Sequence, residues 1–244
     1  MPRDRHRVFY VDHCDTEALK ARWASDPSVD TAALHVDAVW GQGTLREALA
    51  AAGALQRGPL DYVIASHVIE HVPDLIGWLK EVVDVLGPRG VLRLAVPDRR
   101  YTFDLLRRET VATDVLSAWI RRRRVPDASR VLDFALNMVH VDVGQAWAGT
   151  LQRDSLQRAF TDEQAIALAQ DAERQGTYHD VHCWVFTPDS FLALMQRLVA
   201  LGVLDLACEW ITPTARWQYE FMVSLRPEPH RPLALASWRD PRVV

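Results

Sequence analysis

Polar side chains with acid–base capacity follow two short apolar runs in the sequence. The run from Tyr62 to Ala65 is apolar and β-branched, as a buried strand requires, and it leads directly into polar residues. A second run, Val91 to Val96, ends in the same way. The polar residues after the two runs are Ser66, His67, Glu70, His71, Asp98 and Arg99. Imidazole and carboxylate groups can transfer protons or bind ligands, so we expect chemistry where these runs end.

A helix between the two runs determines how their ends are placed. From Leu75 onward, apolar residues recur at the 3.6-residue spacing of one helix face, and the Gly-Pro-Arg-Gly sequence at 87–90 predicts where the helix stops. A strand–helix–strand unit favours a right-handed crossover, which makes the two strands parallel neighbours. Ligands of parallel sheets bind beyond the carboxyl ends of the strands. The sequence therefore predicts a site at that edge of the sheet.

Two more carboxylates end apolar runs near the amino terminus. Residues 7–12 read as a strand that ends in Asp12, and residues 33–37 as a strand that ends in Asp37. Both acids fit either of two interpretations. Asp is common in turns that follow strands. A carboxylate at the carboxyl end of a parallel strand can also accept hydrogen bonds from a nucleoside.

The composition limits the classes of protein to consider. A chain of 244 residues with 49% hydrophobic content predicts one sizeable domain. The formal charge of −4 gives no support for nucleic acid as a partner. Three cysteines without metal-type or redox spacing favour a reducing cytoplasm. Apolar stretches stay below the roughly 18 residues of a membrane span, so we expect neither a membrane protein nor a signal peptide.

Several local signals predict elements in the remainder of the chain. Thr44 with Glu47 matches a capping box, and Thr187-Pro188 is a typical helix start. Gly41-Gln42-Gly43 is interpreted as a turn. Helical spacing is found within residues 102–175, at 113–120, 126–139 and 154–173, and a closing hairpin is predicted at 203–211 and 219–225. The tail from Pro227 contains four prolines and is expected to be a surface arm that covers a groove or a dimer contact.

A second group of histidines and aspartates lies in the carboxyl-terminal half: His140, Asp142, His179, Asp180 and His182. Alternation within a strand would place Asp180 and His182 on one face. Three interpretations remain open for these residues. They could bind a divalent metal, supply a carboxylate-oriented histidine as a general base, or serve structure alone. No residue is assigned as a metal ligand.

Two charged features also allow more than one interpretation. The basic run at residues 121–124 reads as a solvated helix end, or as a contact for an anionic substrate or phosphate. Glu220 lies inside the last predicted strand, where it either points into the site or pairs with an arginine. Pairing with an arginine is the preferred prediction.

The central segments resemble a known family. DYVIASHVIEHVPD, the GPRG turn and VLRLAVPDRRYTFD are similar to the fourth and fifth strands of class I S-adenosylmethionine-dependent methyltransferases of a type 11-like branch. Fainter similarity in VHCWVFTPDSFLALM and YEFMVSLR extends the resemblance over most of residues 8–225. The resemblance implies an α/β, Rossmann-like three-layer sandwich with a mostly parallel sheet, a closing antiparallel strand and a helical insertion. We expect one domain at 1–226, its helical cover at about 102–175, and an arm at 227–244.

The same resemblance implies methyl transfer from S-adenosylmethionine to a small-molecule or sugar-like acceptor. Asp12 would bind the ribose and Asp37 the adenine amino group, with Trp40 or Val39 against the ring. The residues assigned to the cofactor are Asp12, Asp37, Ala38, Ser66 and His67. His67 would line the methyl pocket. His182, oriented by Asp180, is the first candidate for the general base, and His71 is the second.

One departure from the family pattern concerns the cofactor loop. The glycine-rich loop of these enzymes follows a first strand that would precede Val8, but only seven residues lie there and none is glycine. Three explanations follow: a start codon further upstream, a strand supplied by a neighbouring chain, or a shortened relative that binds cofactor poorly or not at all. A non-catalytic scaffold is therefore the rival interpretation, and a metal-assisted enzyme is the third.

Overall fold

The computed structural model describes residues 5–41 and 43–244. Residues 1–4 of the charged amino terminus and Gln42 of the predicted turn lie outside this range. The α-helices of the described residues are α1 (Thr16–Trp23), α2 (Leu45–Ala51), α3 (Leu75–Val85), α4 (Ala112–Ile120), α5 (Ala128–Asn137), α6 (Val143–Ala148), α7 (Asp162–Gln175), α8 (Pro188–Ala200) and α9 (Arg231–Arg239). The strands are β1 (Val11–Asp12), β2 (Ala38–Val39), β3 (Leu60–Ser66), β4 (Leu86–Pro97), β5 (Leu206–Thr212) and β6 (Glu220–Pro227).

The six strands form two sheets rather than one. A four-stranded sheet has the order β3-β4-β6-β5, and β1 pairs with β2 separately. The β3–β4 and β1–β2 pairs are parallel, whereas β6 is antiparallel to both β4 and β5. The α/β class is confirmed, but the prediction of a mostly parallel sheet is wrong, because the sheet is mixed. A crossover helix joins β3 to β4, whereas a short connection joins β5 to β6 and requires antiparallel pairing.

The second strand begins later in the chain than the sequence predicts. Thr31–Ala33 forms a 3-10 turn capped by Asp30, and the paired strand follows at Ala38–Val39. Val11 pairs with Ala38 and Asp12 with Val39. Asp37 therefore precedes β2 instead of ending a strand, which changes the direction of its carboxylate.

The α3–β4 unit holds the carboxyl end of β3 in place. Asp74 accepts a hydrogen bond from the Gly77 N–H at the start of α3, and the apolar face of the helix is buried in the core. The helix ends at Val85, close to the predicted stop, and β4 begins at the next residue. Leu86 pairs with Leu60 and Val91 with Tyr62, so residues 87–90 loop out of the pairing with β3. A Cβ at Gly90 would lie 2.9 Å from the Leu60 carbonyl oxygen. Glycine allows this close approach of β4 to β3.

The segment 102–175 is helical, as predicted, with shifted boundaries. The helices α4, α5 and α7 lie within or near the three predicted segments, and α5 packs against α7. Helix α6 was not predicted, although Asp142 caps it by accepting a hydrogen bond from the Gln145 N–H. The chain then runs from residue 176 to 187 without a helix or an extended strand, and it bonds back to the core through Cys183 N and Glu70 O at 2.6 Å.

The elements expected from helix caps and from the closing hairpin are present. The Thr187 cap with Pro188, the Thr44–Glu47 capping box and the β5–β6 hairpin are all confirmed. Residues 231–239 form α9, which packs against α8 and β5. Trp238 is buried there and donates a hydrogen bond to the Leu206 carbonyl at 2.7 Å. The division into a domain at 1–226 and an arm at 227–244 stays a prediction. Among the described residues, no helix combines the length and the apolar character needed to cross a bilayer.

Candidate functional site

A large cleft opens between β1 and the outer edge of β3. Its volume is about 1600 Å³, which exceeds the roughly 300–1,000 Å³ of most small-molecule pockets. Strand β3 is the last strand of its sheet, and β1 belongs to the other sheet, so the two strands face each other across open space. Apolar residues of α2 and α3 line the interior, among them Leu45, Leu49 and Trp78.

One end of the cleft is polar because both strands finish there. Asp12 and His13 end β1, and His67 and His71 follow β3; all four line the cleft. The His13 ring contacts the Tyr178 ring, which also lines this end. The prediction that functional groups gather at the carboxyl ends of strands agrees with this geometry.

The Asp12 carboxylate faces the cleft and keeps hydrogen-bonding capacity. It is partly exposed, and its Oδ1 accepts from the Cys14 N–H at 3.2 Å and lies 2.8 Å from His13 Nδ1. Burial, together with the neighbouring Asp12, raises the pKa of the Cys14 thiol. Asp12 is therefore placed where a ligand hydroxyl could reach its carboxylate, although its role as a ribose ligand stays a prediction.

Asp37 does not line the cleft. Its Oδ2 accepts the Tyr10 N–H at 2.7 Å, and its Oδ1 lies 3.0 Å from His35 Nε2. The prediction that Asp12 and Asp37 share one hollow is wrong in this geometry. The cause is the start of β2 at Ala38, which places Asp37 level with Tyr10 rather than at a strand end.

Trp40 contributes one of the aromatic side chains in the wall of the cleft. Its indole N–H donates to Glu81 Oε2 at 2.9 Å, and the Leu45 N–H donates to the same oxygen at 2.7 Å. These bonds fix the indole at the cleft surface. Ala38 is buried and Val39 is exposed, and neither lines the cleft. Of the residues predicted to contact an adenine ring, the structure brings only Trp40 to the cleft.

His67 adopts an unusual backbone conformation where β3 ends. Its φ of 51° lies in the left-handed region, which non-glycine residues rarely adopt. Nδ1 lies 3.4 Å from Glu70 Oε1 and Nε2 lies 2.5 Å from Glu220 Oε2. The Glu70 carboxylate, aided by that of Glu220 and opposed by burial, raises the pKa of His67. Glu220 thus pairs with this histidine and not with an arginine as predicted, and Ser66 is exposed outside the cleft.

His71 forms the second imidazole of the polar end. Nδ1 lies 2.8 Å from Asp180 Oδ1, an ion-pair distance without hydrogen-bond geometry, and the ring lines the cleft. Arg22 also pairs with Asp180. His71 and Arg22 hold the pKa of the Asp180 carboxyl far below its usual value. Burial and the nearby Asp180 charge raise the pKa of Tyr178.

His182 is buried behind His71 and pairs with a different acid. Its Nδ1 lies 2.6 Å from Asp104 Oδ2, and its ring meets the edge of His71 with centroids 4.6 Å apart. Arg107, fully buried, donates to Asp104 at 2.7 Å and to Asp133. The predicted pair of His182 and Asp180 is therefore wrong, because the chain at 176–187 is not a strand whose alternate side chains share one face.

The remaining histidines of the second group lie outside this cluster. His140 is exposed, and its backbone bonds to Gln157 O. His179 lies 2.8 Å from Asp171 at the surface of α7. The basic run at residues 121–124 follows α4, and its last three arginines line the cleft, where Arg124 donates to Gly43 O at 3.4 Å. The lining of the cleft therefore includes three cationic side chains.

Comparison with known proteins identifies the family. A model described as a methyltransferase domain matches residues 5–198. The chain belongs to this methyltransferase family. The resemblance stated from the sequence is thereby confirmed, and the α/β fold with its mixed sheet is consistent with the Rossmann-like architecture of a methyltransferase. A search of curated proteins gave no match.

Sequence reasoning missed several residues of the candidate site. Arg22, Glu81, Asp104 and Tyr178 all contact residues predicted to be functional. Asp104 and His182 are separated by 78 positions in the chain. No local spacing in the sequence indicates such a pair. The YTFD segment was noted for its resemblance, which was the one signal that pointed towards Asp104.

Proposed function

We propose that this methyltransferase-family protein uses S-adenosylmethionine to methylate a small-molecule or sugar-like acceptor in the cleft between β1 and β3. The observation that carries the proposal is the cleft itself. It combines an aromatic wall, a carboxylate at the end of β1 and two imidazoles at the end of β3. Apolar walls with few polar groups at one end are typical of cofactor sites.

Asp12 and Trp40 are the residues that fit a nucleoside. The Asp12 carboxylate would accept hydrogen bonds from ribose hydroxyls, and the fixed Trp40 indole offers a face for a purine ring. Asp37, with its oxygens contacting Tyr10 and His35, is not part of this proposal. When bound, the cofactor would supply the methyl group on a sulfonium centre.

The acceptor is proposed to lie at the histidine end, and the arginines at 122–124, which also line the cleft, could contact an anionic group. The protein would hold the acceptor nucleophile in line with the methyl group, since alignment provides much of the rate gain in such displacements. His71 faces the cleft and His182 does not, so His71 replaces His182 as the histidine through which the protein would act on an acceptor hydroxyl.

Calorimetric titration with S-adenosylhomocysteine tests the cofactor assignment. We expect binding by the wild type and about 10- to 100-fold weaker binding by Asp12→Ala, since a hydrogen bond to a charged group contributes about 1.5–3 kcal/mol. Asp15→Ser is the matched control. Asp15 caps α1 by accepting from the Ala18 N–H, lies outside the cleft and can be replaced by another capping residue.

Two results would count against the proposal. If the folded wild type does not bind S-adenosylhomocysteine, the rival interpretation of a non-catalytic scaffold is favoured. If Asp12→Ala and Asp15→Ser bind equally well, the cofactor lies elsewhere. A His71→Ala variant that binds S-adenosylhomocysteine normally but loses methylation of an identified acceptor would support the placement of the acceptor end.

A further inference from the structure

We propose that Glu70, His71 and His182 form a binding site for a divalent transition-metal ion. One potential ligand atom from each residue lies within 4.8 Å of those of the other two. The sequence left a metal site among His140, Asp142, His179, Asp180 and His182 as one open interpretation and assigned no ligand; Glu70 and His182 are 112 positions apart in the chain. The fold brings them together where the chain after β3 meets the segment 176–187.

The first observation is a buried carboxylate that lacks hydrogen bonds. The Glu70 side chain is 1% exposed, and neither of its oxygens has a hydrogen-bond partner among the described residues. The nearest imidazole nitrogens are His67 Nδ1 at 3.4 Å and His71 Nε2 at 4.0 Å from Oε1. A buried carboxylate without hydrogen bonds is costly, and a coordinated cation would offset that cost directly.

The second observation is the orientation of the two imidazoles. His182 Nδ1 bonds Asp104 Oδ2 at 2.6 Å, and His71 Nδ1 lies 2.8 Å from Asp180 Oδ1. In metal sites, ligating histidines use one ring nitrogen for the ion and the other for a carboxylate, which fixes the tautomer and the ring direction. Each imidazole here already contacts a carboxylate through Nδ1. The Nε2 atom of each ring therefore remains available to bind an ion.

The ligand set indicates the class of ion. Two imidazoles and one carboxylate are typical of catalytic Zn²⁺ sites and of the open-sided Fe²⁺ triad, whereas Mg²⁺ prefers oxygen ligands. Metal–ligand bonds of about 2.0–2.2 Å require the three side chains to draw closer than their present separation. His71 lines the cleft, so an ion could enter from solvent and keep an open position towards the cleft. The inference does not depend on cofactor binding.

A second cluster in the protein provides the control. Asp12, His13 and Cys14 also place ligand atoms within 4.8 Å of one another. Their side chains are not deeply buried, and Asp12 Oδ1 already accepts from Cys14 N and contacts His13. Replacing His13 separates binding at this cluster from binding at Glu70.

The test is calorimetric titration of chelator-treated, dialysed protein with Zn²⁺. We expect one Zn²⁺ per chain in the wild type and in His13→Ala. Glu70→Gln, which keeps the shape and removes the charge, is expected to bind at least about 100-fold more weakly. Asp180→Asn leaves all three ligands in place and is expected to weaken binding roughly 10- to 100-fold. Mg²⁺ is expected not to compete.

The proposal fails if the folded wild type binds less than one Zn²⁺ per chain, if His13→Ala abolishes the binding, or if Glu70→Gln leaves the affinity unchanged. Tighter binding of Mg²⁺ than of Zn²⁺ would overturn the class of ion. Circular dichroism establishes that each variant is folded. If Glu70→Gln does not fold, the Asp180→Asn variant still tests the proposal, because Asp180 is partly exposed and its replacement is expected to leave the fold intact. Because no step uses S-adenosylhomocysteine, this result is independent of the proposed cofactor binding, although an ion on Nε2 would exclude His71 from taking a proton from the acceptor.

Discussion

At the scale of single residues, Arg107 is a charged side chain that is completely buried. Its guanidinium is fully buried and bonds both Asp104 and Asp133. We predict that Arg107→Leu lowers the free energy of unfolding by about 3–5 kcal/mol, because the buried Asp104 carboxylate would lose a charged partner. Urea denaturation measures the change.

Arg108 provides the comparison one position away. It is more than half exposed and pairs with Asp114 at 2.8 Å. Arg108→Leu should cost no more than about 1 kcal/mol, as is usual for exposed ion pairs. Equal losses for the two variants would mean that the position in the segment, and not burial of the charge, determines the effect.

The residue scale also shows what a sequence can and cannot predict about a site. The residues at the end of β3 were found because an apolar run that changes abruptly to polar residues is a local signal. The partners of those residues were assigned wrongly. His182 pairs with Asp104, and Glu220 pairs with His67 across 153 positions. Such contacts depend on how separate helices and strands pack against one another. The periodicity of a sequence gives no information on this packing.

Helix α4 is stabilised near its start by a partly buried carboxylate. Asp114 accepts from the Val111 N–H at 3.2 Å and pairs with Arg108 and Arg130. Burial by itself would raise the pKa of Asp114, but these contacts outweigh burial and lower the pKa below its ordinary value. The carboxylate therefore stabilises the fold above its unfolded-state pKa of about 3.9, and this contribution is lost as the pH falls through the lowered pKa.

We predict that Asp114→Asn lowers the free energy of unfolding by about 1–2 kcal/mol at pH 7. The difference from the wild type should shrink to near zero in strong acid, where the wild-type carboxyl is also neutral. Denaturation curves between pH 2 and pH 7, with intervals chosen around the unfolded pKa of about 3.9, provide the measurement. Asp162→Asn, at an exposed pair with Arg158, is the control and should change stability by less than about 0.5 kcal/mol. A difference that grows in acid would contradict the assignment.

At the scale of elements, caps and periodic faces were predicted well, and strand positions less well. The Thr44 and Thr187 starts are encoded by adjacent residues, and both are confirmed. The prediction of a strand at 33–37 failed because a 3-10 turn capped by Asp30 ends at Ala33 and strand pairing begins only at Ala38. The predicted interruption at Gly87–Gly90 is present inside β4, where Leu86 pairs with Leu60 and Val91 with Tyr62, so the four residues between them loop out of the pairing.

For the whole molecule, the class and the family were predictable, but the arrangement of the sheets was not. Periodicity identifies strands without stating which strands pair. The missing first strand left open whether the strands at 8–12 and 62–65 would pair directly, and the structure shows that β1 and β3 do not pair, which opens the cleft. The two outer strands of the larger sheet also differ. Ile211 of β5 bonds with Arg242 and Val244, so the carboxyl-terminal residues cover part of that edge.

The opposite edge, on β3, carries Tyr62 and Ile64, which are 57% and 56% exposed. An uncovered apolar strand edge is a template for intermolecular β-pairing, so we expect concentrated solutions to aggregate. Ile64→Lys should suppress this in light-scattering measurements, whereas Ile166→Lys, at an exposed isoleucine on α7, should not. If both variants suppress aggregation equally, the added positive charge, and not the β3 edge, would be the cause. The opening that gives a ligand access to the interior would then also set the highest concentration at which the protein can be stored.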